Sequence, residues 1–224
     1  MMNKILKFSA IALLASSTSL MAQSKGFEGV SIAAFGSVVG VEASGNVTDA
    51  NSDTNSGKIG QVTAVAGIDL AYTFATGSNG FVAIGGTYIP AEADFATGNT
   101  NASTTNTASN VRGKIKDPYS IYIQPGYAVN NSAAVYGKLS YLSADFNVTS
   151  NNTITQQPGD LNGWGYAIGL KTFLTPNAFI QAEASYSEYD TLTAKYTSSE
   201  SATTNTVSAK PKIAAGTISI GYKF

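Results

Sequence analysis

The residue types that carry most enzyme chemistry are missing from this sequence, which contains no histidine and no cysteine. Ser185 and Ser187 follow Glu183 in the run AEASYSEY, at the spacing that puts alternate residues of a strand on one face. A serine placed so has a carboxylate neighbour but no imidazole to take its proton near neutral pH. Nucleophilic catalysis is therefore not expected, and the chain reads as a non-enzyme. The same absences remove the usual ligands of zinc, haem and nickel, so no metal and no other cofactor is expected. What remains is a sparse set of polar side chains: Asp69, Lys138, Lys171, Glu183 and Lys223, with Gln61, Gln124 and Gln181. These can pair, hydrogen-bond or hold water, if the elements that carry them bring them together.

Those elements have a period of two. In VTAVAGIDLAYTF, Val62, Ala64, Ala66, Ile68, Leu70, Tyr72 and Phe74 fall on one face, with Thr63, Gly67, Asp69, Ala71 and Thr73 on the other. Trp164, Tyr166, Ile168 and Leu170 oppose Lys171 and small residues, and Ile180, Ala182, Ala184 and Tyr186 oppose Gln181, Glu183, Ser185 and Ser187. Val135, Leu139 and Tyr141 oppose Lys138 and Ser140. Tyr119, Ile121, Ile123 and Tyr127 oppose Ser120, Gln124 and Gly126, while Val82, Ile84 and Tyr88 oppose Ala83, Gly85 and Thr87. With a first strand near 29–41, whose Ile32 and Phe35 lie on opposite faces, and a last over 213–224, the count is eight.

The intervals between them alternate. ATGSN at 75–79, VNNS at 129–132 and LTPN at 174–177 are tight turns by composition. The stretches 43–59, 94–113, 147–161 and 190–210 are long and rich in Ser, Thr, Asn and Asp. They are expected to be loops, which an ordinary compact domain rarely needs at such length. Charged residues make up only 12% of the chain, about half of the usual ~25%. A lipocalin-like barrel or a secreted sandwich shows the same alternation, but its outer face meets water and calls for more charge. An eight-stranded antiparallel up-and-down transmembrane β-barrel, an all-β fold, accounts for the strand number, the loop asymmetry and the greasy outer face together. Alternation then places the eight polar residues named above inside, where an eight-stranded barrel has room for little but side chains. The expected lumen is a polar, salt-bridged plug; a narrow anion path lined by Lys138, Lys171 and Lys223 is the alternative.

Residues 1–22 are of another kind. Lys4 and Lys7 precede an apolar run around 11–15 and a small-residue approach to Ala22, the pattern of a secretory signal peptide. The run is too short to span a bilayer, for which about 20 residues are needed. Cleavage after Ala22 leaves 23–224 as the exported barrel and, by removing two lysines, takes the net charge from −1 to −3. No nucleic-acid partner is expected at that charge.

The sequence ends on Ile220, Gly221, Tyr222, Lys223 and Phe224. Together with the signal peptide and eight strands, this aromatic terminus resembles the small eight-stranded bacterial outer-membrane barrel family that includes the outer-membrane protein A transmembrane domain and opacity-type, porin-like surface proteins. The resemblance implies residence in the cell outer membrane among lipid and lipopolysaccharide, as a monomer with four outward loops and tight periplasmic turns. It implies that Ile220, Tyr222 and Phe224 are read by the barrel-assembly machinery. Arg112, Lys114 and Lys116 lie where the fourth strand starts, a height at which they could contact lipopolysaccharide phosphate or simply form a charged strand end. No wall-binding domain is expected beyond Phe224. A structural or surface-exposed role is the expected function, with a narrow channel for ions or very small solutes, or adhesion and reception by the loops, as alternatives.

Overall fold

The computed structural model describes residues 23–48, 54–90, 92–96, 111–150, 153–156, 159–197 and 204–224. The expected signal peptide at 1–22 lies outside them. A 3-10 turn, Gln23–Phe27, precedes eleven strands: β1 (Gly29–Thr48), β2 (Thr54–Ala75), β3 (Gly80–Tyr88), β4 (Glu92–Ala96), β5 (Val111–Ala128), β6 (Ala133–Ser150), β7 (Thr153–Gln156), β8 (Leu161–Phe173), β9 (Ala178–Tyr189), β10 (Leu192–Thr197) and β11 (Thr204–Lys223). Eight of them form the wall in the order β1-β2-β3-β5-β6-β8-β9-β11, every pair antiparallel, and β11 returns to β1 to close it. Closure is the physical requirement here, because an open edge in lipid leaves unsatisfied N–H and C=O groups.

The faces follow the alternation. Ile168, Ile218 and Ile220 on the outer wall are 64–70% exposed, which is tolerable only against hydrocarbon. Aromatic rings bound this band: Tyr72, Phe74, Tyr127, Tyr222 and Phe224 near the tight turns, Tyr88, Tyr119, Trp164, Tyr166 and Tyr186 at the far end, all outward and exposed. Tyr72 packs on Phe74, Tyr222 on Phe224 and Tyr141 on Trp164. Phe173, by contrast, turns inward against Phe27 and Phe179 rather than joining the ring near the third turn.

The three tight turns close as expected, with Thr76 N to Gly80 O, Val129 N to Ala133 O and Leu174 N to Ala178 O bonds of 2.8 Å. The other end departs from expectation. Much of 43–59 is strand: β1 and β2 stay paired to Thr48↔Thr54, and β1 to β11 as far as Thr48↔Thr206. β4, β7 and β10 are further outer pieces carried on β5, β10 and β11. Ser- and Thr-rich sequence reads as loop by composition, yet alternating Thr and Val have good β propensity and can extend a ladder into water without an apolar face.

One join in the wall is short. The β2–β3 ladder runs from Ala75↔Phe81 only to Ile68↔Tyr88, and among the described residues β2 above Gly67 pairs with β1 alone. Pro90 follows β3 and has no N–H for a ladder. Opposite it, β5 shifts register between Lys116 and Tyr119, around Asp117 (φ 48°) and Pro118, while Ile89 N donates to Pro118 O at 3.0 Å.

Candidate lumen site

The barrel interior has three layers rather than one polar plug. The lowest is aromatic. Phe27, on the 3-10 turn, is fully buried and stacks on Phe81 with centroids 5.3 Å apart and edge-on to Phe173 at 5.2 Å; Phe173 meets Phe179 at 5.7 Å. The turn is pinned in the mouth by Asn79 Nδ2 donating to Gln23 Oε1 (2.9 Å), Ser24 N to Ser78 O (3.1 Å) and Lys223 Nζ to Gly26 O (2.7 Å). Glycines make space for these rings: a Cβ on Gly126 would enter the Phe81 ring, and one on Gly221 the Phe179 ring.

The middle layer is polar. Lys138 Nζ sits 2.6 Å from Glu183 Oε2, with both side chains buried. Tyr136 Oη donates to the same carboxylate oxygen at 3.1 Å, and Tyr122 Oη lies 2.9 and 3.0 Å from the two oxygens of Asp69. Lys138 also lies 4.5 Å from the Tyr122 ring centroid, so one cation bridges the two acid–tyrosine units. A buried ion pair in this setting is held by its hydrogen bonds as much as by Coulomb attraction. Tyr122 and Tyr136 escape a sequence reading because an inward tyrosine looks like one more apolar residue. Their parity with Gln124 and Lys138 is the signal that could have found them.

The upper layer is apolar. Ala144, Leu161, Tyr189 and Leu192 are buried together, with Ile115, Leu142, Phe146 and Ile213 packed on them. β10 folding back onto β11 supplies Leu192. Leu161 and Leu192 belong to segments read as loop from sequence, and only the additional strand pieces bring them to this cluster.

The eight residues predicted for the lumen thus divide. Asp69, Lys138 and Glu183 meet in the middle layer. Gln124 and Lys171 are buried, and Lys171 Nζ lies over the Phe179 ring at 3.8 Å. Gln181 pairs with Lys171 across β8 and β9. Lys223 caps the base beside Phe173, and Gln61 is exposed on the outer half of β2, apart from the network. Ser185 and Ser187 stay on the inner face of β9 with Glu183, and that carboxylate is already engaged by Lys138 and Tyr136. No group of three or more potential metal ligands occurs among the described residues.

At the ends, Phe224 N donates to Val30 O (2.9 Å) and Asn177 Nδ2 to Lys223 O (2.6 Å), which anchors the last strand of the wall to the first and to the third turn. Arg112, Lys114 and Lys116 lie on outer β5, in register with Ala96, Asp94 and Glu92 of β4. The side chains of Arg112 and Lys114 lie outside the described residues.

The family model of the outer membrane protein beta-barrel domain matches residues 10–224. A search of curated proteins finds no match. Among solved structures, the outer membrane protein OprG from Pseudomonas aeruginosa superposes with a TM-score of 0.60 at 16% identity, over 88% of this chain and 96% of that one. Ail, the attachment invasion locus protein of Yersinia pestis, gives 0.46 at 18% identity over 88% and 99%. The outer membrane protease OmpT from Escherichia coli gives 0.49 at 9% identity over 88% and 97%. The OprG likeness shows the fold alone, and the other two are too loose to argue from. A closed eight-stranded wall, its outward apolar band and the family match over nearly the whole chain lead to one conclusion: this chain belongs to the outer membrane protein β-barrel family and resides in the cell outer membrane.

Proposed function

We propose that this barrel is a closed membrane anchor whose working surface is its outer end. The observation that carries this reading is the three-layered filling of the lumen, above all the Phe27 ring packed on Phe81 and Phe173 at the base, with Phe179 against Phe173. Polar lining alone is not permeability; a path needs width, and stacked rings remove it. With the tight turns in the periplasm, the long β1, β2 and β11 extensions carry Ser, Thr and Asn out past the membrane, where they can shield the cell or meet a partner. The exported chain reconstituted in planar bilayers, with folding verified by heat-modifiable gel mobility, should be electrically silent. Reproducible single-channel openings would overturn this reading in favour of a narrow pore.

Two partners fit the same reading. The anchored terminus of Ile220, Tyr222 and Phe224 is suited to the barrel-assembly machinery, and the basic residues of outer β5, Arg112, Lys114 and Lys116, to lipopolysaccharide phosphate.

A second reading has its own observation. Among the described residues the wall is unjoined between outer β2 and the end of β3, and the inward cluster of the outer half is apolar. Such an arrangement suits an apolar solute that enters the outer mouth and leaves sideways into the membrane. Proteoliposomes should then equilibrate a monoaromatic fluorescent probe faster than empty vesicles, and Ile213→Lys, which charges the upper layer, should abolish the difference. Equal rates with and without protein would remove this reading and leave the anchor.

A further inference from the structure

Three lysines meet on the lipid side of the wall, just beyond its apolar band. Lys58 of β2 and Lys210 and Lys212 of β11 share parity with Val62 and Ile218, which face outward and are 73% and 65% exposed. The ladder sets them side by side: Lys212 stands opposite Glu42, and Ser44 lies between Lys58 and Lys210 in register. Neighbouring strands lie about 4.8 Å apart, so the backbones of Lys58 and Lys210 are roughly 10 Å from each other across the serine. Lys58 meets Glu42 at 3.3 Å, while Lys212 and Lys210 share Glu188 at 3.3 and 3.6 Å, and all five side chains are 40–73% exposed. Ion pairs so exposed are weak, and an ammonium with three N–H donors keeps others to offer a second anion.

Two hollows adjoin there. The outer one, about 390 Å³, lies between Lys58 and Lys210 over Ser44, Gly45 and Gly57, and no carboxylate lines it among the described residues. The inner one, about 560 Å³, is lined by Gly40, Gly60, Val62, Tyr186 and Ala214, with Glu42 and Lys212 at its outer end. Tyr186 belongs to the outer aromatic ring, so this hollow opens toward hydrocarbon. Glycines keep both floors low: a Cβ at Gly57 would meet nothing, and one at Gly60 only Val41 O at 3.8 Å. The two together are basic and hydroxyl-lined toward water and apolar toward the membrane.

We propose that these hollows form one binding site for a phosphorylated acyl lipid of the outer leaflet. Lys58 and Lys210 hold its phosphate, Lys212 stands at the junction, and an acyl chain lies past Tyr186 and Val62. The outer wall is covered by lipid whatever its sequence, so charge at headgroup height selects which lipid stays. Ammonium donors favour a phosphate monoester over a zwitterionic headgroup. A free phosphate ion would leave the inner hollow unused. The site lies on other strands than Arg112, Lys114 and Lys116, and it rests on the membrane setting rather than on a filled lumen, so it stands or falls apart from the anchor role.

The exported chain, 15N-labelled and folded in phosphatidylcholine nanodiscs, tests this as bisphosphorylated lipid A is added to the bilayer. The Gly45, Gly57 and Gly60 amides should shift saturably with its mole fraction, while Gly126 and Gly221 at the base hold still. Dephosphorylated lipid A, or inorganic phosphate in the buffer, should move none of them. The triple variant Lys58→Gln, Lys210→Gln, Lys212→Gln, shown to fold by heat-modifiable mobility, should raise the half-saturating fraction roughly tenfold. Gly60→Trp, which fills the inner hollow without changing charge, should raise it as well, and Lys25→Gln on the 3-10 turn at the opposite rim should not. Shifts that survive the triple variant, shifts that appear equally with dephosphorylated lipid or inorganic phosphate, or no saturable shift in the wild type would each overturn the proposal.

Discussion

Lys138 and Glu183 illustrate how a residue-scale interaction gains weight inside a narrow barrel. Their side chains are 8% and 12% exposed, so removing one leaves the other as a buried, unpaired charge. Glu183→Gln and Lys138→Met should each lower the unfolding free energy by about 3–5 kcal/mol, whereas the double substitution should cost clearly less than the sum. Urea titration in lipid vesicles reads both, and strict additivity would show that the pair is not coupled. The water side of the outer girdle behaves differently. There the Tyr186 hydroxyl donates to Glu188 at 3.0 Å, and Lys212 and Lys210 stand 3.3 and 3.6 Å from its carboxylate. The Tyr186 hydrogen bond first, and Lys212 next, hold the Glu188 carboxyl below the usual range, while Glu188 pushes the Lys212 ammonium up. A depressed acid stabilises above its unfolded pKa and loses that contribution as pH falls through the folded value. A raised lysine does the reverse at the alkaline end. The pair therefore favours the fold across neutral pH and weakens below the ordinary carboxylate range and above the ordinary lysine range. Both groups are exposed, so the effect is small and screened by salt. Glu188→Gln should flatten the acid arm of the stability profile measured at low ionic strength.

At the scale of elements, the 3-10 turn and the closing seam govern the base. Phe27 carries the turn's apolar contact with the barrel, and Phe27→Ala should destabilise by roughly 3–5 kcal/mol, the range for emptying an aromatic core position. Loss of base packing should also appear as faster protease cleavage near residue 23; an unchanged cleavage rate would show that the turn is held by its hydrogen bonds alone. Gly29 begins β1 at φ +124°, with a Cβ there 2.9 Å from Phe224 O. Gly29→Ala is strained by conformation and by that contact at once, so it should reduce the heat-resistant folded band on gels more than Gly36→Ala, where a Cβ meets nothing.

The whole molecule is a sleeve fitted to the bilayer. Ile168 lies outward and 70% exposed in the band between the two aromatic rings, so Ile168→Arg should cost about 2–4 kcal/mol in vesicles, as for other charges near the midplane of such barrels. The same substitution in detergent micelles, whose edge can deform, should cost less. If Phe224, Tyr222 and Ile220 act as an assembly signal, Phe224→Ser should reduce outer-membrane levels in cells far more than spontaneous refolding into vesicles. Equal losses in both would assign the terminus to stability only.

The outer face, the strand count and the three tight turns were legible in the sequence, because period-two alternation and turn chemistry are local and each strand carries its own record of which side meets lipid. Ile220 and Tyr222 point outward wherever the partner strand lies. The inside was legible only as polarity by parity, since a single strand states that Lys138, Lys171 and Lys223 share a face but not what each one meets. Register decided that: it set Lys138 against Glu183, laid Lys171 over Phe179, and sent Lys223 to the mouth. The outer extensions were hidden because Thr- and Ser-rich strands in water have no apolar face to betray them. Part of the upper apolar layer was hidden with them, since Leu161 and Leu192 join Phe146 in a cluster only when distant strands are brought together. Local sequence fixes which face a side chain takes; closure of the barrel, a long-range event, selects its neighbours and therefore its chemistry.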